Sequence, residues 1–362
     1  MKKILIINTV SFKRNGMSTV IMNYYTNMNH KCYKVDFVVN QYIEKKYIEM
    51  IEENGSEIYI LERNTSVIKY FFDLLKIIKF RRYDIVHVHG NRCTMAVELL
   101  AAMMGGCKVR IAHSHNSTCT HQMTHKMLRP IFEICCTERI ACSELAGKWL
   151  FRNKSFIILE NAIDFSEFQY SKVMRDTYRK ELGVRQDSYI IGHVGLFNEQ
   201  KNQAFIIDIL ERLVKEEKVD CYVLFVGAGK LQESILRKAE KRGLKNKVIF
   251  YGESDDVSGL MSAMDVFLFP SKWEGLGIVM IEAQLTGLPC LASSNVPKAT
   301  QITRNCIYLD LDVGAEKFCK TIKDLSCMKF DRSCIEISCE GKEKFDINKQ
   351  ANKLQKIYEQ KV

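Results

Sequence analysis

Short apolar runs alternate with longer segments of helical period along almost the whole chain. In the first half, apolar runs at 3–9, 35–39, 58–61, 85–89, 109–113 and 139–142 predict buried strands. Between them, apolar positions recurring every three to four residues predict helices at 19–28, 44–54, 66–80, 94–104, 125–137 and 144–150. A polar stretch at 165–187 follows, with one short helix at 172–182. The cycle then resumes, with strands at 190–194, 222–226, 248–251, 266–269 and 289–292 and helices at 202–218, 230–242 and 278–286. A last helix is predicted at 349–361. Strands that are apolar on both faces and joined through helices form parallel, doubly wound sheets. The chain therefore reads as α/β, with two Rossmann-like halves that share a topology but no sequence repeat.

Composition narrows the class. The 362 residues suit two domains, and a hydrophobic content of 47% is ample for two cores. No stretch of eighteen apolar residues predicts a membrane span, and the opening MKKILIINTV reads as a first strand rather than a signal peptide. The fourteen cysteines include no C-x-x-C pair. That pattern points to reduced, buried thiols and a cytoplasmic setting. The net charge of +10 is uneven: residues 1–165 hold 23 Lys+Arg against 15 Asp+Glu, and the remainder 30 against 28. Within the basic half, residues 69–82 interleave lysines and arginines with aromatics. Two readings stand: an amphipathic helix with its bases in water, or a surface for an anionic membrane, where each base contributes about 1 kcal/mol. No nucleic-acid module pattern is present, so nucleic acid is not an expected partner.

Residues 270–287, PSKWEGLGIVMIEAQLTG, carry the strongest chemical signal. Glu274 and Glu282 bracket a Gly-Leu-Gly turn that runs into an apolar helix. A helix start offers unpaired N–H groups and a partial positive charge, and Gly275 and Gly277 let the backbone approach a ligand closely. Hydroxyls at Glu274, phosphates at the helix start and further hydroxyls at Glu282 would hold one long polar ligand with the shape of a nucleotide sugar. The string P-S-x-x-E-G-x-G-x-x-x-x-E-A resembles the E-x7-E signature of retaining glycosyltransferases of the GT-B fold, the family-four (group 1) type, and among these the bacterial exopolysaccharide and capsule transferases. The resemblance implies two facing Rossmann-like domains with an interdomain cleft. An acceptor-binding domain would span 1–165, a nucleotide-sugar-binding domain 166–342, and a helix within 343–362 would cross back to the first. It also implies that Glu274 bonds the donor sugar and Glu282 the ribose, with Gly275, Leu276, Gly277, Ile278 and Val279 lining the diphosphate.

The loop at 195–202, GLFNEQKN, extends the resemblance. In the family it begins Gly-Arg and ends Lys-Asn, and the Arg and Lys clamp the donor diphosphate. Lys201 and Asn202 match, whereas position 196 is Leu. A charge-assisted hydrogen bond contributes roughly 1.5–3 kcal/mol, so a missing cation matters. Lys272, Lys13 and Arg14 are the candidate substitutes. The first loop, SFKRNGMST, keeps only Gly16 where family members often carry Gly-Gly, and it lacks the dinucleotide fingerprint. With Asn15 tolerant of positive φ, it is either a donor-facing turn or a plain βα turn. Gly227 and Tyr251 lie at strand ends where the nucleotide would pass, although core packing explains such positions as well. Ala141-Cys142-Ser143-Glu144 and Asn161-Ala-Ile-Asp164 resemble structural turns of the family, with Ser143 a helix cap.

Six of the eight histidines fall between His87 and His125. His87 and His89 alternate along one predicted strand, and His113 and His115 along another; strand C-termini in such sheets border the ligand crevice. His115 matches a family histidine near the sugar and joins Glu274 and Lys201 as a catalytic candidate. His121 and His125 have helical i, i+4 spacing, but no further ligand completes a set, so neither a metal nor a cofactor is expected. The expected function is retaining transfer of a sugar from a nucleotide donor, read as UDP-linked, to a saccharide or polyprenyl-linked acceptor at the inner face of a bacterial membrane. The alternatives are a catalytically impaired GT-B subunit, a UDP-sugar 2-epimerase and a dinucleotide oxidoreductase.

Overall fold

The computed structural model describes residues 1–13, 15–116, 122–328 and 330–361. The chain divides into two compact units, Met1–Asp164 with Glu343–Val362, and Phe165–Lys342. Each is built on one parallel sheet. Arg14 and His121 lie outside the described residues.

The first unit holds seven strands: β1 (Lys2–Asn8), β2 (Tyr33–Asn40), β3 (Ile58–Leu61), β4 (Ile85–Gly90), β5 (Val109–Ser114), β6 (Glu138–Ala141) and β7 (Ile157–Ile158). They lie in the order β3-β2-β1-β4-β5-β6-β7. The apolar run of β1 is buried on both faces, as a central parallel strand requires: Ile4, Leu5 and Ile7 are fully enclosed. One face packs against the helices Gly16–Thr26 and Ile347–Lys361, the other against Val67–Arg81 and Ala96–Met104. The last helix is tied in by its own backbone. Ile163 N–H donates to the Phe345 carbonyl and Ile347 N–H to the Ile163 carbonyl, both at 3.0 Å, and Leu354, Ile357 and Tyr358 are buried.

Local signals set several boundaries. Asn15 is extended (φ −145°), not left-handed, and its carboxamide oxygen accepts from the Met17 and Ser18 amides. Gly16 is therefore the first residue of a capped helix, with nothing within 4 Å of where a Cβ would sit. Ser143 caps its helix as expected, accepting from the Ala146 amide at 3.2 Å. The single helix expected at 125–137 is two, Gln122–Met127 and Arg129–Cys135. Pro130 explains the break, because inside a continuous helix it would remove a hydrogen bond and clash with the turn before it.

The second unit holds six strands: β8 (Tyr189–Val194), β9 (Cys221–Val226), β10 (Val248–Gly252), β11 (Val266–Phe269), β12 (Cys290–Ser293) and β13 (Cys306–Leu309), in the order β10-β9-β8-β11-β12-β13. Four elements here escaped the sequence reading. Edge strand β13 has four residues and no fully buried side chain, and its register comes from pairing with β12. The helix Val257–Ala263 is too short to show a period and is set by Asp256, which accepts from the Gly259 amide at 2.7 Å. The helix Gly314–Ser326 carries a stripe of helical period in the sequence, Phe318, Ile322 and Leu325, and buries it. Cys339–Phe345 is a seven-residue helix leading back to the first unit. Every described cysteine is a free thiol.

Asp265, just before β11, anchors the first helix of this unit, Lys172–Glu181. It meets Arg175 and Arg179, each at 2.6 Å, and accepts from the Ile190 amide at 2.7 Å. The Arg179 side chain is 0% exposed. Asp265→Ala strands that buried cation and is expected to cost about 3–5 kcal/mol. Asp187→Ala, at an exposed pair, should stay within about 0.5 kcal/mol. Denaturant midpoints measure both, and a wild-type midpoint for Asp265→Ala would refute the anchoring role.

Candidate active site

In the second unit, β8 and β11 are adjacent, and the loops that follow them are laced together. Lys272 N–H donates to the Gln200 carbonyl at 2.8 Å, and the Asn202 side-chain amide donates to the Pro270 carbonyl at 3.1 Å. Asn202 itself is left-handed (φ 57°), a conformation Asn tolerates, and opens the helix Gln203–Lys215. Across this seam Lys201 Nζ lies 2.7 Å from Glu274 Oε1, and Gln200 Nε2 donates to Glu274 Oε2 at 3.2 Å. The side chains of Lys201 and Glu274 are only 15% and 6% exposed, so water screens their attraction poorly. The ammonium also sits 4.6 Å from the Phe269 ring centroid. Each carboxylate oxygen keeps a further lone pair for a hydroxyl.

Gly277 (φ 83°, ψ 56°) leads into the helix Ile278–Leu285, and no side chain caps that helix. The positive φ strains any larger residue at 277, and a Cβ there would lie 3.1 Å from the Phe269 ring, tighter than an ordinary contact. Gly275 has open space around it, and Leu276, Ile278 and Val279 are half-buried. One loop cluster thus combines bare helix amides, a fixed ammonium and a held carboxylate. Amides and ammonium attract an anion, and the carboxylate accepts hydroxyl protons. Lys272 is exposed on the same loop, and Leu196 is half exposed. Lys13 lies on the first unit, 5.2 Å over the Tyr42 ring.

Two expected donor contacts have internal explanations. A Cβ on Gly227 (φ 127°) would lie 2.4 Å from the Gly195 carbonyl oxygen, so its close approach is to a neighbouring loop. The Tyr251 hydroxyl donates to Glu181 at 3.1 Å, and its ring meets Tyr178 edge-on. Glu282 stands on the helix Ile278–Leu285; burial, then the Glu167 carboxylate, push its pKa up to about 7 against a weaker pull from Lys201. His193, which the sequence reading passed over, is buried beneath this site. Its Nδ1 lies 2.9 Å from the Leu268 carbonyl, Nε2 has no partner, and burial pulls its pKa down to about 4. Gln200 and Phe269 were likewise unassigned, although Gln200 stood in the loop already singled out.

On the first unit, His87 and His89 of β4 and His113 of β5 project from one face, where His89 pairs in register with His113, and His115 follows just beyond β5. Their rings stack at 4.2 Å along each strand and 4.9 Å between His89 and His113. His89 Nδ1 lies 2.8 Å from His115 Nε2, and His87 Nδ1 lies 2.7 Å from the Tyr358 hydroxyl. Burial pulls His87 and His115 down to about 3 and His89 and His113 well below the usual range, so all four are neutral at pH 7. His125 is no part of this group: its ring nitrogens meet Arg129 at 2.6 Å and the Cys93 amide at 3.2 Å.

Known families match both units. The glycosyltransferase family 4 pattern covers residues 14–165, and the pattern of glycosyl transferases group 1 covers residues 174–307. The chain belongs to the group 1 glycosyltransferases. It is 29% identical to EpsF of Bacillus subtilis over 84% of this chain and 83% of that one. It is 28% identical to the capsular polysaccharide biosynthesis glycosyltransferase CapH of Staphylococcus aureus, over 86% of each. An Escherichia coli UDP-Gal:alpha-D-GlcNAc-diphosphoundecaprenol alpha-1,3-galactosyltransferase is 29% identical over 64% of each chain. In fold, HepE of Anabaena, solved with UDP and glucose, superposes with a TM-score of 0.79 at 16% identity over 99% of this chain and 100% of that one. The architecture is GT-B.

The Glu282 carboxyl supplies a pH test. Its folded pKa is raised, so between about pH 4.5 and 7 the folded state binds more protons than the unfolded one, and stability falls as pH rises through that window. Glu282→Gln should therefore gain stability relative to wild type on going from pH 5 to pH 8. Parallel melting curves at the two pH values would contradict the raised pKa.

Proposed function

We propose that this chain transfers a sugar, with retention at the anomeric carbon, from a UDP-linked donor to a saccharide carried on a lipid diphosphate, in the assembly of a bacterial surface polysaccharide. The observation that carries this reading is the Lys201–Glu274 pair beside the uncapped start of the helix Ile278–Leu285. In the step envisaged, the bond from C1 to the donor phosphate breaks as the acceptor oxygen bonds C1 on the same face. The acceptor proton passes to the departing phosphate oxygen, and the nucleoside diphosphate leaves with the bonding pair. Lys201 and the first amides of the helix stabilise the charge growing on that phosphate, without need of a metal. Glu274 accepts sugar hydroxyls and orients C1, and Glu282 accepts the ribose hydroxyls. His115, neutral and bonded to His89, is the first unit's candidate for an acceptor contact. A UDP donor is supported by the UDP in HepE, and a lipid-diphosphate acceptor by the name of the E. coli relative. CapH supports the surface-polysaccharide setting.

The helix Val67–Arg81 supports peripheral binding to an anionic membrane. Tyr70, Leu74 and Ile78 fill the core, yet Ile68, Phe72 and Phe80 remain exposed among Lys69, Lys76 and Lys79. No helix among the described residues is long and apolar enough to cross a membrane.

Glu274→Ala is expected to lower kcat with UDP-sugars and a GlcNAc-diphospholipid acceptor by about 100-fold or more while circular dichroism stays native, with a lower melting temperature because Lys201 loses its partner. Near-normal turnover would refute its role, and an inverted anomeric configuration in the product, read by NMR, would refute retention. In a separate assay, wild type should sediment with phosphatidylglycerol vesicles and a Phe72→Ser, Phe80→Ser variant should remain in the supernatant. Equal sedimentation of the two would dismiss this helix as the membrane contact.

A further inference from the structure

The four stacked imidazoles of the first unit raise a question that sugar transfer leaves unanswered. Buried polar atoms in folded proteins are nearly always bonded, because an unpaired one costs about 1–3 kcal/mol. Here, among the described residues, His87 Nε2 and both ring nitrogens of His113 are buried without a partner. They gather in one place: His87, His89 and His113 each offer a ring nitrogen, and these nitrogens all lie within 4.8 Å of one another. Beside them is a cavity of about 10 Å³, lined by the same three histidines with Tyr24, Leu354 and Tyr358 among others. That is about the room one water or one ion needs.

We propose that His87, His89 and His113 form a binding site for a single divalent transition-metal ion of the zinc type. The chemistry of the set fits. Three imidazoles with a water in the fourth position is a known tetrahedral arrangement for zinc. Ligating histidines usually bond their second ring nitrogen to a fixed partner, which sets the tautomer. His87 and His89 both do so through Nδ1, to the Tyr358 hydroxyl and to His115 Nε2, which leaves Nε2 of each to face a metal. No carboxylate is among the group, and the charge is eased if the bound water ionises, as zinc-bound water does near neutral pH. The rings stand 12–37° from parallel, so for bonds of roughly 2.0–2.1 Å they must turn out of the stack until their nitrogens lie about 3.4 Å from one another.

Such an ion would join β4 to β5. Through His87 and Tyr358 it would also brace the helix Ile347–Lys361 against the sheet. It would be structural and distinct from the donor site on the second unit, and the inference does not rest on the proposed transfer.

The test uses the full-length protein stripped with a chelator and titrated with Co²⁺ and Zn²⁺. One equivalent of Co²⁺ should give the intense visible bands of tetrahedral cobalt, and Zn²⁺ should displace it and raise the melting temperature by a few degrees. His87→Gln and His113→Gln, checked for native circular dichroism, should each lower affinity at least tenfold. No uptake by wild type, or undiminished uptake by both folded variants, overturns the proposal. X-ray absorption on zinc-loaded wild type decides the matter even if the variants do not fold. Nitrogen scatterers at about 2.0–2.1 Å, several of them imidazole, support the site. Sulfur scatterers would mean that cysteines bind the ion and would overturn it.

Discussion

The ion pair between Lys201 and Glu274 is the contact around which the second unit's candidate site is built. It joins two loops 73 residues apart, and it does so where little water is left to weaken it. Because Gln200 holds the other carboxylate oxygen, Glu274 has one orientation rather than several. Lys201 in turn is pinned over the Phe269 ring, and the same ring crowds any Cβ at position 277. One aromatic side chain at the end of β11 thus sets the place of the cation and the left-handed turn before the bare helix. Lys201 and Glu274 are thus held by contacts within the unit itself, which is what the proposed stabilisation of developing charge requires.

The same sheet geometry has different consequences in the two units. In both, the parallel strands deliver their C-terminal ends to one edge, so chemically active loops gather there. In the second unit those loops are polar and partly open to solvent. In the first, strand residues themselves are polar: His87, His89 and His113 in β4 and β5 put imidazoles where a βαβ core normally has Val or Ile. Burying three such rings is costly unless something satisfies them, and hydrogen bonds account for only part of their capacity. Position 196 shows the converse case. The family's cation is absent and a half-exposed Leu stands in its place, while Lys201 keeps the second cation of the loop in position.

Legibility in the sequence followed the range of the interactions. The helix Ile278–Leu285 and its Gly277 turn could be read because glycine, apolar period and carboxylates fall within a dozen residues. The sequence left the Asn15 turn open because Asn both tolerates positive φ and caps helices, and only the backbone angle decides between them. Gly227 looked like a ligand-facing glycine because the loop that demands its small size lies 32 residues away, at Gly195. Strand β13 and the helix Val257–Ala263 were invisible because pairing and a single cap, rather than any period, create them.

What the sequence determined by itself was therefore everything carried by neighbours along the chain: the α/β alternation, the two-unit plan, the E-x7-E signature and the family it belongs to. What only the tertiary structure decided was which distant side chains meet. The pairing of Lys201 with Glu274, the pressure of Glu167 on Glu282 and the gathering of His87, His89 and His113 all depend on strand order and register. Those are settled by packing across the sheet, and no local pattern encodes them.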